Sequence, residues 1–325
     1  MVTQGTLHMT EQKRRRLIAF NLRDAGTLFG LLAISGLFAV LAPDFLTLHN
    51  LINILQQSSI NACVAIGMTL VIIGGGIDLS VGASAALSAV LTAMMMAAGV
   101  PLGLALLAGL GIGLACGYIN GALISYAGLQ PFIVTLGTLS LYRALALIVT
   151  GGNPILNLPG NFSNIFNASI GILPVPVVIV IVLSAIVWLV LRKAPIGEYI
   201  LAAGGNEEAA RVAGVPIART KITTYMASGA LAFIAGIILV GRLGAAEPVL
   251  GNLWELNAIA ASAIGGASLM GGKGSIIGTL LGALVLGAMS NGLILMNVQA
   301  FYQLLATGII IIAAMLVDRF TRGRA

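Results

Sequence analysis

Ten blocks of mostly apolar residues follow one another along the chain, at about 26–43, 52–73, 79–98, 101–125, 131–150, 174–191, 222–241, 255–271, 275–295 and 302–317, set off by Pro, Gly and charged residues. A helix needs roughly 20 such residues to cross the hydrocarbon core of a bilayer, so each block predicts a span. The second and third are separated only by Gly74-Gly75-Gly76 and Asp78. They read either as two full spans or as one broken helix beside a full one.

Composition sharpens this into a class. Of the 325 residues 59% are hydrophobic and 8% charged, whereas soluble domains carry about 25% charged residues. Such a chain has too little polar material to cover a water-facing surface. The fold class predicted is all-α, a polytopic membrane protein with about ten transmembrane helices. A net charge of +6 then speaks of orientation and not of nucleic acid, because Lys and Arg concentrate on the cytoplasmic side. Lys13, Arg14, Arg15, Arg16 and Arg23 precede the first span; Arg192, Lys193, Arg211, Arg219 and Lys221 lie between the sixth and seventh; Lys273 follows the eighth; and Arg319, Arg322 and Arg324 follow the last. Ten spans with both termini cytoplasmic put all of these on one side and leave out only Arg143 and Arg242. The predicted organisation is a cytoplasmic tail at 1–25, a transmembrane domain at 26–318 with a cytoplasmic segment at 192–221, and a cytoplasmic tail at 319–325. On the other face the longest connection, 151–173, is rich in Asn, Gly and Pro.

Gly109, Gly113, Gly117 and Gly121 form a strip along the fourth span, and Gly278 and Gly282 lie in the ninth. Small residues every four positions let helix backbones approach closely in lipid; packing within one subunit is the expected use, a dimer seam the alternative. The two spans also match each other at an offset of 171: Gly103, Leu110, Gly111, Asn120 and Gly121 correspond to Gly274, Leu281, Gly282, Asn291 and Gly292. These helices run in opposite directions in the ten-span arrangement, which predicts an inverted five-helix repeat, a common transporter design. An offset of 196, matching Gly75, Gly76 and Gly82 to Gly271, Gly272 and Gly278, is the rival.

Ionisable groups within the membrane are scarce. Asp78 is placed to cap the helix that follows it or to line a polar path; Arg143, inside the fifth span, is placed to pair with a carbonyl or an Asp of the bundle. Ser80, Asn120, Thr135 and Asn291 supply further polar groups for a translocation path. No catalytic set is present: His8 and His49 lie in the tail and in an outer loop, and Cys63 and Cys116 in apolar runs offer neither a disulfide framework nor a metal site. A Walker A loop ending at Lys273 would need Gly at 267 and Ser or Thr at 274, where the chain has Ala267 and Gly274.

The segment 192–221 carries a different signal. Asn206 is a good N-cap, Glu207 and Glu208 suit the positive end of a helix, Gly214 ends it and Pro216 bars its continuation. These residues specify a short capped helix on the cytoplasmic face, suited to a partner, with an ordinary amphipathic connector as the plainer reading. The pattern Glu208-Ala209-Ala210-x-x-x-Gly214 is similar to the coupling-loop motif of permease subunits in bacterial ABC importers. The stretches at 53–57, 65–72 and 76–82, at 197–207, and at 255–261 with 265–274 resemble the ribose-type branch of those permeases. The match runs from about 45 to 318.

That resemblance implies a bacterial plasma-membrane permease that pairs with a second permease chain, either a copy or a sister. It also implies an ABC ATPase subunit that holds ATP and Mg, while this chain binds no cofactor of its own. A periplasmic or lipid-anchored binding protein delivers the sugar, a pentose, a hexose or a related compound. Asn206, Glu207, Glu208, Ala209, Ala210 and Gly214 would form the contact with the ATPase. The alternative is a self-sufficient facilitator or ion-coupled carrier, for which one Asp at a span boundary offers little.

Overall fold

The computed structural model describes residues 22–299, 301–309 and 312. Residues 1–21 of the tail predicted at 1–25, the tail predicted at 319–325, and the tenth span beyond 309 except residue 312 lie outside the described residues. The helices are α1 (Leu22–Leu41), α2 (Leu48–Ile73), α3 (Val81–Ala97), α4 (Leu102–Tyr126), α5 (Pro131–Thr150), α6 (Gly160–Asn167), α7 (Val175–Lys193), α8 (Pro195–Gly205), α9 (Glu207–Val212), α10 (Ile217–Leu243), α11 (Trp254–Ile264) and α12 (Ile276–Leu295). A hairpin of β1 (Ser169–Ile170) and β2 (Leu173–Pro174) precedes α7, and 301–309 is helical.

Among the described residues six helices, α2, α4, α5, α7, α10 and α12, are long and apolar enough to cross a membrane. The fold is all-α and polytopic. Its centre is α2 and α10, which pack on each other and on α11, α12, α3 and α4. The most apolar stretch of α2 is 83% buried inside the chain, against 22% for α7; the rim helices turn Ile181, Ile186, Leu189 and their like outward, as lipid-facing positions demand.

Paired glycines end two of the helices. At the end of α2, Gly75 adopts φ +82°, its N–H reaches Ile72 O, and the N–H of Gly76 reaches Val71 O. This crossed pair satisfies the last carbonyls of a helix and stops it. Thus α2 is a complete helix, while α3 begins only at Val81 and has 17 residues. The same device recurs at Gly265-Gly266, where Gly266 has φ +84° and Ala267 N–H bonds Ser262 O. The span predicted at 255–271 is therefore an 11-residue helix, α11, followed by an irregular strand of chain at 265–275. At 1.5 Å per residue that helix covers only about 16 Å.

The glycine strip of α4 faces α10 of its own chain. A side-chain carbon at Gly121 would stand 2.6 Å from Ile222 Cα, and one at Gly113 2.7 Å from Gly229 O. Gly278 and Gly282 of α12 pack in the same way on Gly265 and Ala261. On the far face, the region predicted as a long connection holds α6 and the hairpin. Phe162 and Phe166, one turn apart and 5.1 Å between ring centres, seat α6 on Gly241.

Candidate coupling and translocation sites

The segment after α7 folds into two short helices at a sharp corner. Pro195 starts α8 at a position where a missing N–H costs nothing. This helix was not legible in the sequence, because its apolar residues merge with those of the connector. Its last turn lies on the end of α2: Gly204 presses on Ile73 O, Gly75 and Gly271, and Gly272 N–H donates to Ile73 O at 2.8 Å. No side chain fits between these backbones, so α8 rests directly on the turn that ends α2.

Asn206 then caps α9 as expected. Its Oδ1 accepts from Ala209 N–H at 2.9 Å. Glu207 bonds Arg211 at 2.8 Å within α9 and Lys221 at 2.7 Å on α10. The Lys221 hydrogen bond, foremost, holds the Glu207 carboxyl below the usual carboxylate range. Ala210 is buried with Ala203, Val215 and Ile217, and Gly214, at φ +83°, turns the chain into α10. Glu208, Ala209 and Val212 are left facing outward, Val212 with 88% of its surface exposed. The helix is thus pinned on one side by a buried alanine and an ion pair, and bare on the other.

Of the residues predicted to line a path, four meet. Asp78 Oδ1 accepts from Ser80 N–H at 3.0 Å and from Ser80 Oγ at 2.6 Å; its Oδ2 accepts from Ser228 Oγ at 3.0 Å. Ser80 Oγ in turn accepts from Asn120 Nδ2 at 2.8 Å, and Asn120 Oδ1 accepts from Thr138 Oγ1 at 2.7 Å. The Ile77 carbonyl, freed by the break, takes hydrogen bonds from Thr135 Oγ1 and Tyr225 Oη, both at 3.2 Å. Buried polar groups need partners, and this network supplies them for Ile77 O and Ser80 N–H in the break at 74–80. Asp78 does hold the N-terminal end of α3, but through Ser80, which precedes the first helical residue. All four are buried and brace the break. Asn291 lies elsewhere, paired with Asn50 in both directions at 2.8 and 2.9 Å. Sequence reasoning missed Ser228, Tyr225 and Thr138, ordinary residues of long helices with no local mark.

A second break, 244–253, precedes α11. Arg143 crosses to it from α5 and donates to Pro248 O at 2.9 Å and Leu250 O at 2.6 Å, the carbonyl pairing expected for a cation inside the bundle. The second break touches the first turn of α3, just past the first break: Gly82 and Gly251 meet backbone to backbone.

Six long apolar helices, with shorter helices meeting irregular chain inside the bundle, make a multi-pass membrane protein. Residues 50–315 match the family described as branched-chain amino acid transport system, permease component, and the chain belongs to this family. It is similar to the ribose import permease protein RbsC of Bacillus subtilis (strain 168), 44% identical over 315 residues, 95% of this chain and 97% of that one. It is also similar to the D-allose transport system permease protein AlsC of Escherichia coli (strain K12), 40% identical over 296 residues, 90% and 91% of the two chains. The fructose import permease protein FrcC of Rhizobium meliloti is 36% identical over 292 residues, 87% and 81%. No solved structure matches the chain. It is an integral membrane permease of the ABC-importer type.

Proposed function

We propose that the chain forms the translocation path of an ATP-driven importer for a monosaccharide, with α9 as its contact to a separate ATPase. The family description names amino acids and the relatives' names three sugars; we follow the relatives, whose similarity covers nearly the whole chain. The observation that carries the coupling role is α9 itself, capped, pinned to α10 and α8, and bare toward the outside.

In this reading α9 sits in a groove of the ATPase, which alone holds ATP and Mg. Closure of the ATPase pushes α9. The push passes to α8, which lies on the Gly75 turn, and to α10, whose Tyr225 and Ser228 hold Ile77 and Asp78. Both routes end at the break between α2 and α3, so a displacement at α9 repositions the two breaks against each other. A ligand or partner shifts such an equilibrium only through different contacts in the two states, and a rigid helix transmits that difference where a loose loop would absorb it.

The membrane arrangement proposed is ten crossings over 26–318 with both tails cytoplasmic, paired with a second permease chain in the bacterial plasma membrane. A periplasmic or lipid-anchored binding protein delivers the sugar. An inverted repeat of five helices underlies it. Shifted by 171, the starts of α2, α3 and α4 fall at 219, 252 and 273, within three residues of the starts of α10, α11 and α12 at 217, 254 and 276, which supports this offset over 196.

The test is uptake in cells carrying Gly214→Pro or Glu208→Lys. Proline cannot adopt the φ of +83° at 214 and lacks the N–H that Gly214 donates to Arg211 O; lysine reverses the charge of the bare face. Uptake is lost with membrane insertion retained. Normal uptake in both variants sinks the coupling role.

A further inference from the structure

A cavity of about 630 Å³ opens among α2, α10, α11, α12 and the helix at 301–309. It lies at the C-terminal end of α10, a helix of 27 residues and so about 40 Å long, whose other end carries α9. Among apolar walls the lining carries four long polar side chains: Gln57 and Asn61, one turn apart on α2; Arg242 at the end of α10; and Asn257 on α11. Trp254 adds an aromatic face at the first turn of α11. Gln57, Asn61, Arg242 and Asn257 make no side-chain hydrogen bond or ion pair with the described residues. Ser58, in the same wall, is 3% exposed and its hydroxyl is a buried polar group without a partner. Among the described residues only Ser84 Oγ shares that state, while the Asp78 network and the Asn50–Asn291 pair are matched.

From this we infer that the cavity is a hydroxyl-recognition site for the transported sugar within the permease chain itself. The inference rests on the monosaccharide reading above. Amide side chains suit the task because each donates and accepts, as a hydroxyl does. The Arg242 fork offers several donors to neighbouring oxygens, and no Asp or Glu in the lining competes for it. The indole of Trp254 supplies an apolar surface for the C–H face of a sugar ring. An ionisable side chain in a bundle that faces a wet cavity marks a substrate pathway, and the volume falls in the range of small-molecule sites, about 300–1,000 Å³. The cavity is shaped by five separate elements, so no local pattern in the sequence announces it.

Single cysteines report on the site, since native Cys63 and Cys116 are both buried. Asn61→Cys and Asn257→Cys are made separately in the complete importer, in membranes with its ATPase and binding protein. Each is exposed to a water-soluble thiosulfonate reagent with and without D-ribose, D-allose or D-fructose. Both positions label, and the sugar that the system takes up slows labelling by about tenfold at about ten times its Kd. Failure to label, or labelling indifferent to a sugar that is still taken up, overturns the cavity assignment and leaves the importer reading intact. Uptake of no sugar from a panel of pentoses and hexoses that includes these three overturns the monosaccharide reading and the cavity assignment with it.

Discussion

The two breaks in the bundle solve one problem by opposite means. At 74–80 the freed groups are gathered by a carboxylate: Asp78 collects two hydroxyls and an amide, while Thr135 and Tyr225 cover Ile77 O. At 244–253 a cation does the work, Arg143 spanning from α5 to two carbonyls. Unsatisfied backbone inside a membrane costs several kcal/mol per group, so each break requires such a clamp. The difference lies in what each clamp is tied to. The Asp78 clamp reaches α10 through Ser228 and Tyr225, and its break lies under α8. The Arg143 clamp reaches only α5. One break is wired to α8 and α10 and the other is braced by the rim, and Gly251 of the second meets Gly82 in the first turn of α3. A bundle with one fixed and one steerable discontinuity has a defined place to move.

The largest expected effect comes from wedging that meeting point. Gly251 has φ +75° and lies against Gly82 backbone; Gly251→Val adds overpacking of about 1–3 kcal/mol to backbone strain of about 1–2 kcal/mol. A thermal-stability assay in detergent shows most of the folded fraction gone, and a melting curve like that of the unmodified chain contradicts the contact. Next come the clamps. Arg143→Met orphans Pro248 O and Leu250 O, and Asp78→Ala orphans the Ser80 and Ser228 hydroxyls, at about 1–3 kcal/mol for each buried group left unpaired. Both lower the melting temperature, but only Asp78→Ala disturbs coupling to the ATPase; equal effects on ATP-driven uptake erase the distinction drawn here. Asn120→Ala comes third, cutting the bonds to Ser80 Oγ and Thr138 Oγ1 while Thr138 keeps Thr135 O as acceptor, and lowers the melting temperature by the equivalent of about 1 kcal/mol.

The smallest effect is at α9. The Glu207 carboxyl is held low by Lys221, so its contribution is fully present above the ordinary carboxylate pKa and disappears as pH falls through the lowered one. With 39% of the side chain exposed, solvent screening limits it to about 0.2–1 kcal/mol. Protease protection of the α8–α9 corner therefore weakens modestly in acid, and Glu207→Gln shows the weakened level at neutral pH. A pH response that survives in Glu207→Gln assigns it to another group.

Local marks made part of this legible beforehand. Apolar blocks located the long helices, and the Asn206 cap with Gly214 located α9, because caps and spans are decided by adjacent residues. Asp78 and Arg143 stood out through the cost of charge in lipid. The shortness of α11 was harder. Gly265-Gly266 ends it, but double glycines are common in this chain, and only the positive φ at Gly266 separates a stop from a packing site. Ser228, Tyr225 and Thr138 were invisible, since what defines them is a partner on another helix: 150 residues separate Ser228 from Asp78. The meeting of Gly82 with Gly251 is a property of the assembled bundle alone.

The central claim is that α10 carries motion from α9 to the steerable break. The direct measurement is sugar taken up per ATP hydrolysed in the reconstituted importer carrying Ser228→Ala with Tyr225→Phe, which cuts both hydrogen bonds from α10 to 74–80 and leaves α9 untouched. The account predicts that hydrolysis continues while uptake per ATP falls several-fold. An unchanged ratio, with both processes at their normal rates, contradicts it.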